Sequence, residues 1–160
     1  MKSVDFDLHA DSYDDDLNRA LAASGEDKDY FARGRVEWLA SCLKRLNEPP
    51  AAALDYGCGI GDTSVLLRDE LGLKSVVGLD VSERSLANAR THHVGKDCRF
   101  LTFDQYTPDE SVDLVYCNGV FHHIPLGNGM RPWTTSTGRC GPEAYFRCGR
   151  TTRGTRALAT

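Results

Sequence analysis

The 160-residue sequence has no Cys-x-x-Cys pair, and its six cysteines (Cys42, Cys58, Cys98, Cys117, Cys140 and Cys148) stand far apart. That spacing argues against a zinc site and against a disulfide framework, and predicts reduced, mostly buried thiols. No apolar run approaches the roughly 20 residues that cross a bilayer. The N-terminus, MKSVDFDLHADSYDDD, is acidic and contains neither an apolar core segment nor a small-residue cleavage site. No secretory signal is therefore expected, and a cytoplasmic location with no membrane partner follows as an expectation. A Pro/Ser/Gly linker between two apolar blocks is also missing, which at this length predicts one domain.

What is present suits a soluble globular protein, with 41% hydrophobic and 26% charged residues. The charge is unevenly spread. Residues 1–125 hold 13 Lys and Arg against 22 Asp and Glu, whereas residues 126–160 hold six Arg against one Glu. An acidic body argues against a surface that tracks phosphates, so no nucleic-acid partner is expected.

Residues 12–24 and 29–46 both place apolar side chains at helical spacing, the first bounded by Ser12 and Gly25, the second by Pro49 and Pro50. After these two helices the pattern changes. Ala51–Asp55 is a short apolar run entering YGCGIGD, and Thr63–Leu71 reads as a helix stopped by Gly72. Ser75–Asp80 is a second buried strand, followed by a helix opened by Ser82. Arg99–Phe103 and Val112–Cys117 are two further strands. This alternation predicts an α/β fold, a Rossmann-like doubly wound parallel sheet with strand one central.

Gly57, Gly59 and Gly61 fall at every second position between the first strand and its helix. Lacking Cβ, glycine permits positive φ and lets a ligand approach backbone N–H groups at the start of a helix. A tight turn with no ligand is the alternative for such a loop taken alone. Asp80 strengthens the ligand reading, because it ends the second strand about twenty residues on, where a carboxylate accepts both hydroxyls of a ribose. A nicotinamide fingerprint, G-x-G-x-x-G, needs glycine where Asp62 stands. The spacing found favours an adenosyl ligand without a pyrophosphate over an oxidoreductase cofactor.

The segments LDYGCGIGD (54–62), VVGLDVSERSLANAR (76–90), FLTFDQY (100–106) and SVDLVYCNGVFHHIP (111–125) resemble those of class I S-adenosylmethionine-dependent methyltransferases. The resemblance runs from about residue 5 to residue 125. It implies that S-adenosyl-L-methionine is the cofactor, with Asp55, Gly57, Gly59 and Gly61 around its methionine moiety. It further implies Asp80 on the ribose, Asp104 at the adenine amino group and Asn118 bordering the cofactor. By the same resemblance residues 1–50 form a helical lid, for which Tyr13, Tyr30 and Arg33 are lining candidates, and residues 51–125 form the binding core. The acceptor implied is a small molecule. A module that binds the cofactor without transferring a methyl group is the other reading.

Methyl transfer from a sulfonium is an in-line displacement, so much of the catalysis comes from alignment. A hydroxyl or protonated amine acceptor adds the need for a general base, and His122 and His123, just past strand four, are the candidates. Packing and turn-capping roles are the alternative for this pair. No third ligand accompanies them, so no metal is expected.

After Pro125 the character changes again. LGNGMRPWTTSTGRCGPEAYFRCGRTTRGTRALAT has no Ile or Val and no apolar periodicity. Pairing the third base of each codon with the first two of the next, from Met130 onward, the genetic code permits an amphipathic helix, an LRPGG turn and an apolar strand in succession. Residues 126–160 are therefore expected to be an out-of-frame, irregular tail, with a genuine divergent tail as the alternative. The sheet is then truncated after strand four, leaving that strand as an exposed edge and the enzyme impaired.

Overall fold

A computed structural model describes residues 28–47, 49–107, 112–120, 144–146 and 157–159. The elements run α1 (Lys28–Leu46), β1 (Ala52–Tyr56), α2 (Asp62–Leu71), β2 (Ser75–Asp80), α3 (Glu83–His92), β3 (Cys98–Thr102), β4 (Leu114–Cys117), β5 (Ala144–Phe146) and β6 (Ala157–Ala159). The helix expected over residues 12–24 lies outside the described residues.

The sheet order is β3-β2-β1-β4-β5-β6. Strands β1 to β4 are parallel, with β1 between β2 and β4, as a doubly wound sheet requires. The parallel part ends at β4. Beyond it the structure departs from the expected bare edge: β5 lies antiparallel to β4 through the pair Val115↔Phe146, and β6 is antiparallel to β5. Two three-residue strands thus fall within a tail expected to be irregular. An unpaired strand presents a row of free N–H and C=O groups, and any extended segment of the same chain can meet them.

Each face of the parallel strands buries its own apolar set, following the two-residue alternation of β-structure. On one face Ala53, Val76, Leu114 and Tyr116 pack with Leu67 of α2 and with Val36, Leu39 and Leu43 of α1. On the other, Leu54, Val77, Leu79 and Val115 form a second cluster with Val112. Among the described residues no helix is long and apolar enough to cross a membrane.

Local signals set the boundaries. Gly61 and Gly72 bracket α2 with left-handed backbone (φ 85° and 64°), and the Gly72 N–H donates to the Arg68 carbonyl. The Ser82 hydroxyl caps α3 by accepting from the Ser85 N–H at 3.1 Å. Asp113, just before β4, accepts from the Ala51 and Ala52 N–H groups at 2.8 and 3.1 Å, which ties the entry of β1 to that of β4.

Candidate functional site

The parallel register brings the C-terminal ends of β1, β2 and β4 to one edge: Tyr56 lies opposite Leu79 and opposite Cys117. In open parallel sheets ligands bind at this edge, where the strand order reverses, here between β1 and β4. The loop from Gly57 to Gly61 occupies that point. All three of its glycines have positive φ, at 78°, 55° and 85°, a region that costs other residues.

The three glycines differ in what surrounds them. A Cβ on Gly57 would meet Val120 Cγ2 at 2.2 Å, and one on Gly61 would meet the Phe100 ring at 2.6 Å. At Gly59 nothing stands within 4 Å. Glycine at 57 and 61 is therefore also demanded by the chain's own packing, while Gly59 presents bare backbone to open space. Gly78 of β2 belongs to the same arrangement, because a Cβ there would meet Phe100 and Cys58 at 2.7 and 2.8 Å. The Phe100 ring fills the floor beneath the loop, in a cluster with Cys58, Leu86 and Ala89.

Hydrogen bonds fix the loop to β2. The Leu79 carbonyl accepts from the Gly57 and Cys58 N–H groups at 2.7 and 3.0 Å. Asp80 accepts from the Gly59 N–H through Oδ2 and from the Ser82 N–H through Oδ1, both at 2.9 Å. One carboxylate thus joins the glycine loop to the start of α3. Each carboxylate oxygen has two acceptor sites, so Asp80 retains acceptor capacity for ligand hydroxyls. Open backbone at Gly59 beside a partly satisfied carboxylate fits a ligand that carries both an amino-acid end and a ribose.

Asp55 sits under the loop, 2% exposed, and its Oδ2 accepts from the Ser64 hydroxyl at 2.6 Å. Burial pushes its pKa up to about 7; the Ser64 hydrogen bond opposes this and the nearby charge of Asp80 adds to it. Burial likewise drives the Cys58 thiol far above its ordinary value, with the Asp55 and Asp80 charges adding to it. Cys58 is an inert packing residue.

The remaining expected residues scatter more widely. Asp104 is exposed in the turn after β3, its pKa lowered by a hydrogen bond with Thr102. Asn118 is half-buried directly after β4. Arg33 donates to Glu70 at 3.0 Å, near the opposite end of α2 from Gly61. His122, His123 and Tyr13 lie outside the described residues. Ser64, Phe100 and Val120 were not foreseen, whereas Ser82 caps α3 as its place in the sequence implied. Ser64 had a signal in the sequence, a hydroxyl in the first turn of the helix that follows the loop, while Phe100 and Val120 owe their roles to contacts between distant segments.

Residues 54–139 match the family model of a methyltransferase domain. The chain belongs to the class I S-adenosylmethionine-dependent methyltransferase family. The chain is 37% identical over 73 residues to a trans-aconitate 2-methyltransferase of Rhizobium rhizogenes, covering 46% of this chain and 28% of that protein. It is 32% identical over 111 residues to the trans-aconitate 2-methyltransferase of Methylobacterium radiotolerans, covering 69% and 40%. A malonyl-[acyl-carrier protein] O-methyltransferase of Methylococcus capsulatus is 35% identical over 89 residues, covering 53% and 32%. This methyltransferase chain therefore spans between 28% and 40% of the length of these relatives.

Proposed function

We propose that the chain binds S-adenosyl-L-methionine at the Gly57–Gly61 loop and Asp80, and that the methyl group is passed to a small-molecule acceptor bearing a carboxylate. The observation that carries the reading is the 2.9 Å hydrogen bond from the Gly59 N–H to Asp80, which holds bare backbone and a ribose-accepting carboxylate side by side. When bound, the cofactor supplies an electrophilic methyl group on a positively charged sulfur. The chain's task is to hold it: backbone at Gly59 receives the amino-acid end, with Asp55 beneath the loop, and the free acceptor sites of Asp80 take the sugar hydroxyls. Asp104 and Asn118 are assigned to the adenine side and the cofactor border.

The carboxylate acceptor is supported by the names of the relatives, since trans-aconitate and a malonyl group both carry one. An ionised carboxylate needs no proton removed before it attacks. With such an acceptor His122 and His123 are spared the general-base role that a hydroxyl or amine would impose. Turnover retained within about twofold in both His122→Gln and His123→Gln, in contrast to a loss of about a hundredfold or more in one of them, separates the two.

Of residues 1–50, expected as a lid, α1 is assigned to the core because Val36, Leu39 and Leu43 pack against the sheet, which leaves the segment before α1 as the lid; residues 51–125 are assigned to the binding core of a cytoplasmic enzyme. Residues 126–160 are assigned to an out-of-frame tail that weakens turnover. Calorimetric titration with S-adenosylhomocysteine tests the binding, with one saturable site expected and its loss in Asp80→Ala. A folded wild-type chain giving no heat overturns the proposal. Label transfer from the cofactor to a panel of small carboxylates tests the transfer, and resequencing codons 120–135 tests the frame.

A further inference from the structure

His93 lies at the C-terminal cap of α3, more than thirty residues beyond the glycine loop, yet its ring reaches back to it. Its Nε2 stands 3.2 Å from the Ile60 carbonyl oxygen and 3.2 Å from Asp62 Oδ1, with the side chain 13% exposed. Both facing atoms are acceptors, so Nε2 must carry the hydrogen. The Phe100 ring lies 6.0 Å away between centroids, tilted by 43°.

These two contacts flank Gly61, the residue at which the loop becomes helix. The ties from β2, through the Leu79 carbonyl and the Asp80 carboxylate, hold the N–H groups of Gly57, Cys58 and Gly59. The second half of the loop is held within itself by the Gly61 N–H to Cys58 carbonyl bond at 3.0 Å. His93 adds a tie from another element. A peptide that leads into glycine has wide rotational freedom, and fixing it on ligand binding costs affinity.

We propose that His93 is a positioning residue that clamps the Ile60–Asp62 end of the loop in its ligand-ready form. The inference rests on the reading of that loop as the S-adenosylmethionine site. It predicts that removing the donor weakens cofactor binding while the sheet beneath stays intact, and that restoring a donor restores binding.

The test compares the full chain with His93→Leu and His93→Gln by titration with S-adenosylhomocysteine and by amide hydrogen exchange without ligand. His93→Leu is expected to bind about three- to tenfold more weakly and to exchange faster at residues 60–62 while β1 and β2 are unchanged. His93→Gln recovers most of both. Wild-type affinity and exchange in His93→Leu overturn the proposal, as does a loss of protection spread equally over β1 and β2. If His93→Leu does not fold, proton–nitrogen correlation on the wild-type ring decides: a slowly exchanging hydrogen on Nε2 upholds the clamp, and a rapidly exchanging one or an Nδ1-protonated neutral ring overturns it. A wild-type chain that binds no S-adenosylhomocysteine sinks the cofactor reading instead, and exchange and tautomer then judge the clamp alone.

Discussion

Replacing Asp55 by Asn should make the protein more stable relative to wild type at high pH than at low pH. Asp55 is buried, and its pKa is lifted from about 3.8 to about 7. In the unfolded chain the carboxyl ionises near its ordinary value, so between these two values the folded state holds a proton that the unfolded state has lost. Stability contributed by this group is therefore full below pH 3.8 and falls as pH rises toward 7, by roughly 1.4 kcal/mol per pH unit. The whole span corresponds to about 4 kcal/mol. At pH 5 part of that loss has already occurred, which leaves about 2–3 kcal/mol between pH 5 and pH 8. Asn keeps an oxygen that accepts from Ser64, so the 2.6 Å hydrogen bond survives while the ionisation does not. Urea unfolding of both proteins at pH 5 and pH 8 measures the effect, since other titrating groups cancel in the difference. The stability of Asp55→Asn relative to wild type should improve by about 2–3 kcal/mol from the lower to the higher pH. An identical difference at the two values would refute the assignment of a strongly raised carboxyl to this position.

The glycines should separate by substitution. Gly61→Ala collides with the Phe100 ring at 2.6 Å and adds backbone strain, so it should lower stability by about 2–4 kcal/mol in thermal unfolding. Gly59→Ala meets open space and should cost only about 1 kcal/mol from its left-handed backbone, yet weaken S-adenosylhomocysteine binding in the same titration. Asp80→Asn leaves one acceptor oxygen for two backbone donors, at Gly59 and Ser82; urea unfolding should show a loss of about 1–3 kcal/mol. Cys58, buried and shifted toward the unreactive thiol form, should escape maleimide labelling at pH 8 in the native chain and react once urea is added, as read by mass spectrometry.

Periodicity and punctuation made most of the parallel fold legible. The helix expected over 29–46 is Lys28–Leu46, and the strand expected over 75–80 is Ser75–Asp80. The apolar spacing of Val36, Leu39, Cys42 and Leu43 marked a face that is buried. The glycine loop and Asp80 were legible because positive φ and a strand-terminal carboxylate leave a signature in residue type. Tyr30, included in the same apolar helix pattern, is 58% exposed, since spacing alone does not distinguish a buried edge of a helix from a rim. What sequence could not carry were the contacts that close the site from afar. Phe100 beneath Gly61 and Gly78, His93 against Ile60 and Val120 against Gly57 join segments about twenty to sixty residues apart, and no local rule encodes which distant ring fills a missing side chain. The pairing of β5 with β4 was equally hidden, because AYF and ALA are too short to show a period.

The double grip of Asp80, on Gly59 through one oxygen and on Ser82 through the other, sets the shape of the proposed cofactor site from within the chain. A preorganised receptor of this kind gives up little motional freedom on association. Ligand capture here should show a small entropic penalty and little change in backbone order, so that affinity rests on fit to a finished surface in place of folding around a guest.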